Sequence, residues 1–275
     1  MKMLICSIGS QRTLSTLRFA TEVARALGAE TTYLGVVSRG RRVAKLQRVM
    51  ERFTERLGGE RLPCEVRVDV GRAEEVVMAE MEAASYDLVA LGTLSGKRSR
   101  KRFLNPVGMC IIERASSSVL IVKGSRPGLS KVLICSSGSE LSHFPVQAGA
   151  ALACAAGARA TVLHVVDALP AMYTGLDQME ETLAELLQSD TEMAKELRWA
   201  TKVVGDVCES PEIKLRRGIV VEEILREVHT GDYDLIVLGS SQGASGIVRA
   251  LMGDLTREVV SRAKVPVLVV GPPDS

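Results

Sequence analysis

The sequence predicts an α/β protein made of two tandem, doubly wound domains, each with a five-stranded parallel sheet flanked by helices. Short, continuously apolar runs alternate with helix-like segments along the chain, which is typical of parallel strands buried on both faces. A set of motifs also occurs twice, in the same order. Alternating strands and helices require right-handed crossovers with helices on both sides of the sheet.

The repeat is visible at three places in the chain. Three segments return later in the same order: 4–10 as 133–139, 86–92 as 233–239, and 114–122 as 262–270. The stretch from Gly124 to Ser130 contains Ser125-Arg126-Pro127-Gly128, which favours a linker. We therefore predict one domain at residues 1–124 and a second at 131–275, both of ordinary domain size.

Each copy has strands and helices in alternation. In the first copy we predict strands at 2–8, 31–37, 63–70, 87–92 and 118–123, and helices at 12–27, 40–57, 72–84 and 105–115. In the second copy we predict strands at 131–136, 160–166, 211–215, 234–239 and 266–270. Its second helix is predicted as one long element over 177–203.

Composition excludes several classes of protein. The chain of 275 residues is 46% hydrophobic, carries a net charge of +2 and has 3% aromatic residues, so its core is aliphatic and the whole molecule is not a polyanion binder. No apolar run reaches the roughly 18 residues of a membrane span, and the first residues turn polar too soon for a signal peptide, so we expect a soluble cytoplasmic protein. The six cysteines are scattered and predict neither a disulfide framework nor a metal site.

The repeated motifs resemble the universal stress protein (UspA) family. They are the Leu-Ile-Cys-Ser turn after the first strand, the Tyr-Asp-Leu strand, the glycine loop after it, and the closing Arg-Ala followed by an apolar strand. The resemblance covers nearly the whole chain. It implies an adenine-nucleotide-binding-like fold of the alpha-hydrolase type, strand order 3-2-1-4-5, and dimers joined through strand five, so the two copies are expected to form a pseudo-dimer.

Nucleotide-binding members of the family carry a glycine motif that this chain keeps in part. The family pattern is Gly-x2-Gly-x9-Gly-Ser/Thr, and the second copy offers Gly239-x3-Gly243-x9-Gly253-Asp254. Glycines let backbone N–H groups approach phosphate oxygens closely. Asp254 stands where a hydroxyl is expected, so it opposes a phosphate unless a divalent cation such as Mg²⁺ bridges the two. The alternative is that Asp254 caps the helix that follows.

The resemblance places the candidate nucleotide site in the second copy. The position after strand one is Ile8 in the first copy and Ser137 in the second, and only Ser137 can form a hydrogen bond through its side chain. The candidate residues are Ser136, Ser137, Val165, Val166, Gly239, Gly243, Gly253, Asp254 and Leu255. The ligand that the resemblance implies is ATP or AMP, with Mg²⁺, in the second domain only.

The first copy departs further from the family pattern. Its equivalent residues are Gly92, Gly96 and Asn105, and Pro106 lacks the N–H that a phosphate would use. A basic loop lies between them, with Lys97, Arg98, Arg100, Lys101 and Arg102. The cluster of cations predicts either a solvated loop or one that contacts an acidic partner or a polyphosphate. A nucleic acid is not expected, because no aromatic side chain lies in the loop for base stacking.

Catalysis has little support in the sequence. His164 lies in an apolar run and is predicted as a packed or hydrogen-bonded core residue, and no catalytic residue or metal ligand is predicted. Asp87 and Asp234 each precede a fourth strand and are predicted to cap or turn the chain. We therefore do not predict an enzyme, although slow ATP hydrolysis in the second domain stays open.

Three functional hypotheses remain open at this stage. The first is a tandem stress-response protein that binds a nucleotide or a partner without efficient turnover. The second is a nucleotide sensor whose second domain alone binds ATP or AMP. The third is a regulatory scaffold that uses the basic loop to contact an unknown protein. A further homodimer is compatible with each of them.

Overall fold

The computed structural model describes most of the chain. The described residues are 1–8, 13–38, 40–57, 64–92, 106–115, 117–124, 126, 128–166, 183–208, 211–241 and 246–271. The second glycines Gly96 and Gly243, Asn105 and the basic loop at 97–102 lie outside them, so the predictions made for these residues remain predictions.

The first half of the chain contains five strands and four helices within the described residues. The strands are β1 (Lys2–Ser7), β2 (Glu30–Val37), β3 (Cys64–Val70), β4 (Leu88–Gly92) and β5 (Ser118–Val122). The helices are α1 (Thr13–Ala26), α2 (Val43–Leu57), α3 (Ala73–Ala83) and α4 (Pro106–Arg114), with a 3-10 turn at Gly40–Arg42 before α2.

The second half repeats this order with one additional helix. The strands are β6 (Lys131–Ser136), β7 (Arg159–Val166), β8 (Glu212–Arg217), β9 (Leu235–Gly239) and β10 (Val267–Val270). The helices are α5 (His143–Ala155), α6 (Leu183–Gln188), α7 (Glu192–Val207), α8 (Val220–Gly231) and α9 (Gly246–Arg262), and a 3-10 turn at Glu140–Ser142 precedes α5.

All ten strands form one sheet. The strand order is β3-β2-β1-β4-β5-β10-β9-β6-β7-β8, so each half has the order 3-2-1-4-5 that the family resemblance implied. Pairing within each half is parallel, and the two halves meet where β5 and β10 pair antiparallel. The predicted pseudo-dimer is therefore present. The two predicted sheets are joined into one, because each fifth strand covers the apolar edge of the other.

The core is aliphatic and lies on both faces of this sheet. Residues of β1, β2, β6 and β7 alternate between the two buried faces, as Met3 and Ile5 do against Leu4 and Cys6. On one face the sheet is covered by α1, α2, α5 and α7, and on the other by α3, α4, α8 and α9. Residues from both halves belong to each of the two apolar layers, so the seam between the halves is part of the core.

Asp87 and Asp234 hold the start of the central strand in each half. The Asp87 carboxylate accepts a hydrogen bond of 2.6 Å from the backbone N–H of Lys2. In the second half, Asp234 accepts from the N–H groups of Ser130 and Lys131, at 2.9 and 3.1 Å. Asp87 and Asp234 were predicted to cap or turn the chain. In the structure, each carboxylate joins the start of the fourth strand of its half to the start of the first strand.

Two predicted helix boundaries are wrong. The long helix predicted over 177–203 is interrupted: α6 ends at Gln188, and α7 starts after Thr191, whose Oγ1 accepts from the N–H of Ala194 at 3.2 Å. A hydroxyl that caps the new helix explains the break, because it satisfies an N–H that a continuous helix would bond internally. The interpretation of Asp254 as a helix cap is also wrong, because α9 begins at Gly246 and Asp254 lies two turns inside it.

Two features are absent from the described residues. No helix in that part of the chain combines the length and the apolar character needed to cross a membrane. Nor do the described side chains include a group of three or more His, Cys, Asp or Glu placed to hold a metal ion.

Candidate functional site

A pocket lies at the carboxyl ends of β6, β7 and β9 in the second half. Open parallel sheets bind ligands outside the carboxyl ends of their strands, at the point where the strand order reverses, and β6 occupies that position between β7 and β9. The cavity measures about 240 Å³. Its lining comprises Cys135, Ser136, Ser137, Leu141, Ser142, Pro145, Leu163, Val165, Val220, Ile224, Leu238, Gly239, Met252, Leu255 and Thr256.

The pocket has apolar walls and a set of hydroxyl groups on one side. The Ser137 hydroxyl lies 2.7 Å from the Ser142 hydroxyl and 2.8 Å from that of Ser139. Ser142 Oγ also accepts from the Ser137 N–H at 2.7 Å, which holds the turn against the start of α5. No charged side chain belongs to the described lining of this pocket. Such a surface suits a neutral, largely apolar group that forms a few hydrogen bonds.

His164 supports the turn that walls the pocket. The imidazole is buried beneath the turn, and its Nδ1–H donates to the Ser136 carbonyl oxygen at 2.9 Å. Burial lowers the pKa of His164, against the opposing effect of this hydrogen bond, so the ring is neutral. Gly138 crosses above the ring with φ of +70°, and a Cβ there would lie 2.8 Å from the imidazole. The predicted core role of His164 is confirmed.

The chemistry of the pocket wall does not favour proton transfer. Burial raises the pKa of the Cys135 thiol to about 12, so the thiol stays protonated at neutral pH and is a poor nucleophile. Thr256 donates to the Gly239 carbonyl oxygen at 3.3 Å, which ties α9 to the end of β9. The described lining therefore offers hydrogen-bonding hydroxyls but no group in the protonation state of a general base.

Some of the predicted site residues line this pocket, and others lie outside its lining. Ser136, Ser137, Val165, Gly239 and Leu255 all line the pocket. Val166 ends β7, and its carbonyl oxygen accepts from the Gly218 N–H at 3.0 Å, but it does not belong to the lining.

Gly253 and Asp254 do not belong to the described lining of the pocket. Both line a different groove between α4 and α9, together with Glu113 and Arg257, which form an ion pair of 2.7 Å across the seam. A Cβ on Gly253 would approach Ser241, not the cavity described above. The glycine loop was expected to extend to Gly253. In the structure this part of the chain already belongs to α9, and both residues face the groove between α4 and α9.

Several pocket residues were not predicted. Ser142 and Thr256 supply hydroxyls, and Leu141, Pro145 and Met252 supply apolar surface. The sequence contained a pattern that could have predicted Ser142. A serine directly before a helical pattern favours the start of a helix, and that start faces the carboxyl ends of the strands. Thr256 had no such signal, since its position depends on where α9 begins.

In the first half, Gly92 has a packing role. It ends β4, and a Cβ on it would lie 2.3 Å from the Thr16 Oγ1 of α1. At the corresponding position in the second half, a Cβ on Gly239 would lie 3.4 Å from the Pro145 ring, which is an ordinary contact. Close approach of helix and strand therefore accounts for Gly92 without any ligand.

Comparisons with known proteins agree with this architecture. The model of the universal stress protein family matches residues 128–271. A universal stress protein from Methanocaldococcus jannaschii is 26% identical over 153 residues, which covers 56% of this chain and 88% of that protein.

Two solved structures share the complete fold with this chain. A protein of unknown function from Pseudomonas aeruginosa covers 98% of this chain and 92% of its own, with 17% identity and a TM-score of 0.74. A universal stress protein from Archaeoglobus fulgidus covers 98% of both chains, with 17% identity and a TM-score of 0.72. The ten-stranded arrangement is therefore a fold shared with other chains of this length.

Proposed function

Because this chain belongs to the universal stress protein family, we propose that it acts in stress response by binding the nucleoside part of an adenine nucleotide, without efficient turnover. The proposed site is the pocket of the second half, in the predicted domain 131–275. The observation that carries the proposal is an uncharged cavity with clustered hydroxyls at the carboxyl edge of β6, β7 and β9. The family's stress-response role and a cytoplasmic location complete the proposal.

The size and lining of the pocket favour a nucleoside over a triphosphate as the group recognised. At about 240 Å³ the cavity is below the range of roughly 300 to 1,000 Å³ that drug-sized ligands occupy. Backbone N–H groups of Gly253 and Asp254 belong to the interior of α9, where helix hydrogen bonds engage them. The N–H groups of α9 without helical acceptors belong to its first turn, which begins at Gly246.

The same lining supports binding without efficient turnover. The described pocket residues include no carboxylate, so this lining offers Mg²⁺ no charged ligand, and Mg²⁺ would arrive with the phosphates of ATP. The Cys135 thiol stays protonated, and His164 does not belong to the described lining, so none of the described lining residues is a general base facing the cavity. The alternative function as a scaffold rests on the loop at 97–102, outside the described residues, and stays a prediction.

Calorimetric titration of the full chain with adenosine, AMP and ATP plus Mg²⁺ tests the proposal. We expect saturable binding of all three, with affinities within about tenfold of one another, because the nucleoside supplies the shared contacts. Val165→Phe places a larger side chain at the pocket wall and is expected to weaken binding at least tenfold. Asp254→Ser is the matched control and should leave the affinity unchanged, because Asp254 lies on another face of α9.

Mass spectrometry of ligands released from gently purified protein provides an independent measurement. Co-purified adenine nucleotide or nucleoside in the wild type and Asp254→Ser, with none in Val165→Phe, is the expected result. Absence of heat with every adenine compound, or equal binding by Val165→Phe, would contradict the proposed function.

A further inference from the structure

A second cavity lies far from this pocket, between α1 and α2 of the first half. It measures about 480 Å³ and opens to solvent. Its apolar surface comes from Leu14, Val49 and Phe53, and its rim carries three exposed arginines, Arg18, Arg52 and Arg56. We call this cavity the α1/α2 groove. An apolar floor with a strongly cationic rim is an unusual combination for a surface that contacts only water.

The three rim arginines are available to a ligand. Glu22 also lines the groove, but its carboxylate is engaged by Arg25 at 2.8 Å. Among the described residues, no hydrogen bond or ion pair engages the guanidinium groups of Arg18, Arg52 and Arg56. Within the described part of the chain, the groove therefore presents three guanidinium groups without a partner and one carboxylate that is already paired.

In the second half, side chains of the protein itself fill the space between α5 and α7 that corresponds to the α1/α2 groove. Counting from the shared strand motif, Leu14 of α1 corresponds to His143 of α5. Counting back from Tyr86 and Tyr233, Val49 and Arg52 of α2 correspond to Glu196 and Trp199 of α7. All three first-half residues line the groove.

In the second half, His143 contacts both of the corresponding α7 side chains. The indole of Trp199 stacks on the imidazole of His143, with ring centroids 4.0 Å apart and planes tilted by 32°. The Glu196 carboxylate lies 2.7 Å from His143 Nε2. A flat ring and a carboxylate thus occupy the space between α5 and α7, whereas the first half has Arg52 in place of the ring and Val49 in place of the carboxylate.

We propose that the α1/α2 groove binds an organic anion with a flat apolar body, such as an aromatic carboxylate. The ring would lie on Leu14, Val49 and Phe53, and the carboxylate would pair with the rim guanidinium groups, which bind carboxylates in bidentate fashion and stack on flat rings. The ligand would restore the ring and the carboxylate that the second half supplies from its own chain. This inference does not depend on nucleotide binding in the second half.

A flat bilayer and a bulky polyanion fit these observations less well. The apolar surface is concave and of side-chain dimensions, so a planar membrane surface would not reach Phe53, whose side chain is 9% exposed. A polyphosphate would use the arginines but would leave the apolar floor uncovered. The combination of both surfaces selects a ligand that has both an apolar ring and a charge.

The test uses 2-naphthoate as the probe and 2-naphthalenemethanol as its neutral match, titrated calorimetrically into the full chain. We expect saturable binding of naphthoate and at least tenfold weaker binding of the alcohol, because only the anion can pair with the arginines. Arg18→Gln/Arg56→Gln should weaken naphthoate binding at least tenfold. Arg48→Gln is the control on the same helix, since Arg48 does not line the groove and its Nε donates to the Ala44 carbonyl oxygen.

A second variant fills the groove with larger side chains of the protein itself. Leu14→His/Val49→Glu/Arg52→Trp installs the second-half set and should abolish naphthoate binding while the thermal midpoint is maintained or raised. Absence of saturable naphthoate binding, or equal affinity for the alcohol, would overturn the proposal. So would unchanged affinity in the double glutamine variant. Binding of an acidic peptide or of anionic vesicles in place of naphthoate would assign the groove to another class of partner and would likewise overturn it.

Discussion

At the scale of single residues, the molecule depends on a buried carboxylate in each half. Glu227 is 1% exposed, and it accepts hydrogen bonds from Lys214 at 2.9 Å, from Arg216 at 2.7 Å and from the Tyr233 hydroxyl at 3.0 Å. The first half has a simpler version in which Glu80 accepts from Tyr86 at 2.6 Å and pairs with Arg67 at 3.0 Å. Burial raises the pKa of Glu227, but these hydrogen bonds outweigh it and hold the pKa below its usual range.

Glu227→Gln is expected to destabilise the protein by about 3 kcal/mol at pH 7, because the partly buried cations Lys214 and Arg216 lose their buried carboxylate partner. A carboxyl whose pKa is lowered by folding stabilises the native state above its unfolded-state pKa of about 4.3, and loses that effect as the pH falls through the folded-state value. The difference between wild type and variant should therefore be constant above about pH 6 and shrink below about pH 4. Urea unfolding across this range measures it.

Glu75→Gln is the matched control for that measurement. Glu75 pairs with Arg72 on the surface, at 2.8 Å, where both side chains are mostly exposed. Solvent-exposed pairs contribute little, so the control should show little change at any pH. A loss in Glu227→Gln that does not depend on pH would contradict the assignment of the effect to the carboxylate charge.

At the scale of elements, helix boundaries decide what the second half presents at its carboxyl edge. The helix α9 extends from Gly246 to Arg262, so its first two turns come before Gly253. That extension removes Gly253 and Asp254 from the pocket and brings Met252, Leu255 and Thr256 to it. The predicted long helix is likewise divided into α6 and α7, which lets α7 begin near the pocket turn, where Met193 approaches Gly138.

Thr191→Ala is expected to destabilise the protein by about 1 kcal/mol, because α7 loses the hydroxyl that accepts from the Ala194 N–H. Thermal or urea unfolding measures the loss. Thr191→Ser keeps a capping hydroxyl and should retain most of the stability. If serine and alanine were equally destabilising, the contribution would come from the threonine methyl group and not from the cap.

At the scale of the whole molecule, the seam between the halves is held by the sheet and by side chains around it. The strands β5 and β10 pair from Val119 with Val269 to Ile121 with Val267, and these residues are almost fully buried. The Lys123 ammonium donates to the carbonyl oxygens of Ser261 and Ala263, at 3.3 and 3.1 Å, at the end of α9. A cation at the C-terminus of a helix is favourable because it meets the negative end of the helix dipole.

The isolated second half, residues 131–275, is expected to dimerise, because without β5 it exposes an apolar edge at β10. Light scattering after size-exclusion chromatography should give about twice the mass of one copy at micromolar concentration. Addition of the separately expressed first half, residues 1–124, should convert this species into a one-to-one complex. A second half that stays monomeric at tens of micromolar would contradict the importance of the seam.

The amino-acid sequence by itself determined the alternation of elements and the repeat, because apolar periodicity and the recurring motifs are local signals that need no tertiary context. The strand order was implied by the family resemblance and not by these signals. Ten strands were expected, and the described part of the chain contains all ten within a few residues of their predicted bounds. The family resemblance also assigned the candidate site to the second half, through Ser137 and Gly239, and that assignment stays a prediction. The predicted domain limits of 1–124 and 131–275 stay a prediction.

Tertiary structure alone decided which side chains meet. The direction of Asp254 depends on how far α9 extends toward its N-terminus, and the contacts of Thr256 depend on the same boundary. The joining of two sheets into one depends on two edges that are far apart in the chain. The open groove between α1 and α2 depends on side chains that fail to fill a space which His143, Glu196 and Trp199 fill in the other half. Local periodicity reports which face of an element is apolar, but contact across elements depends on packing that only the folded chain specifies.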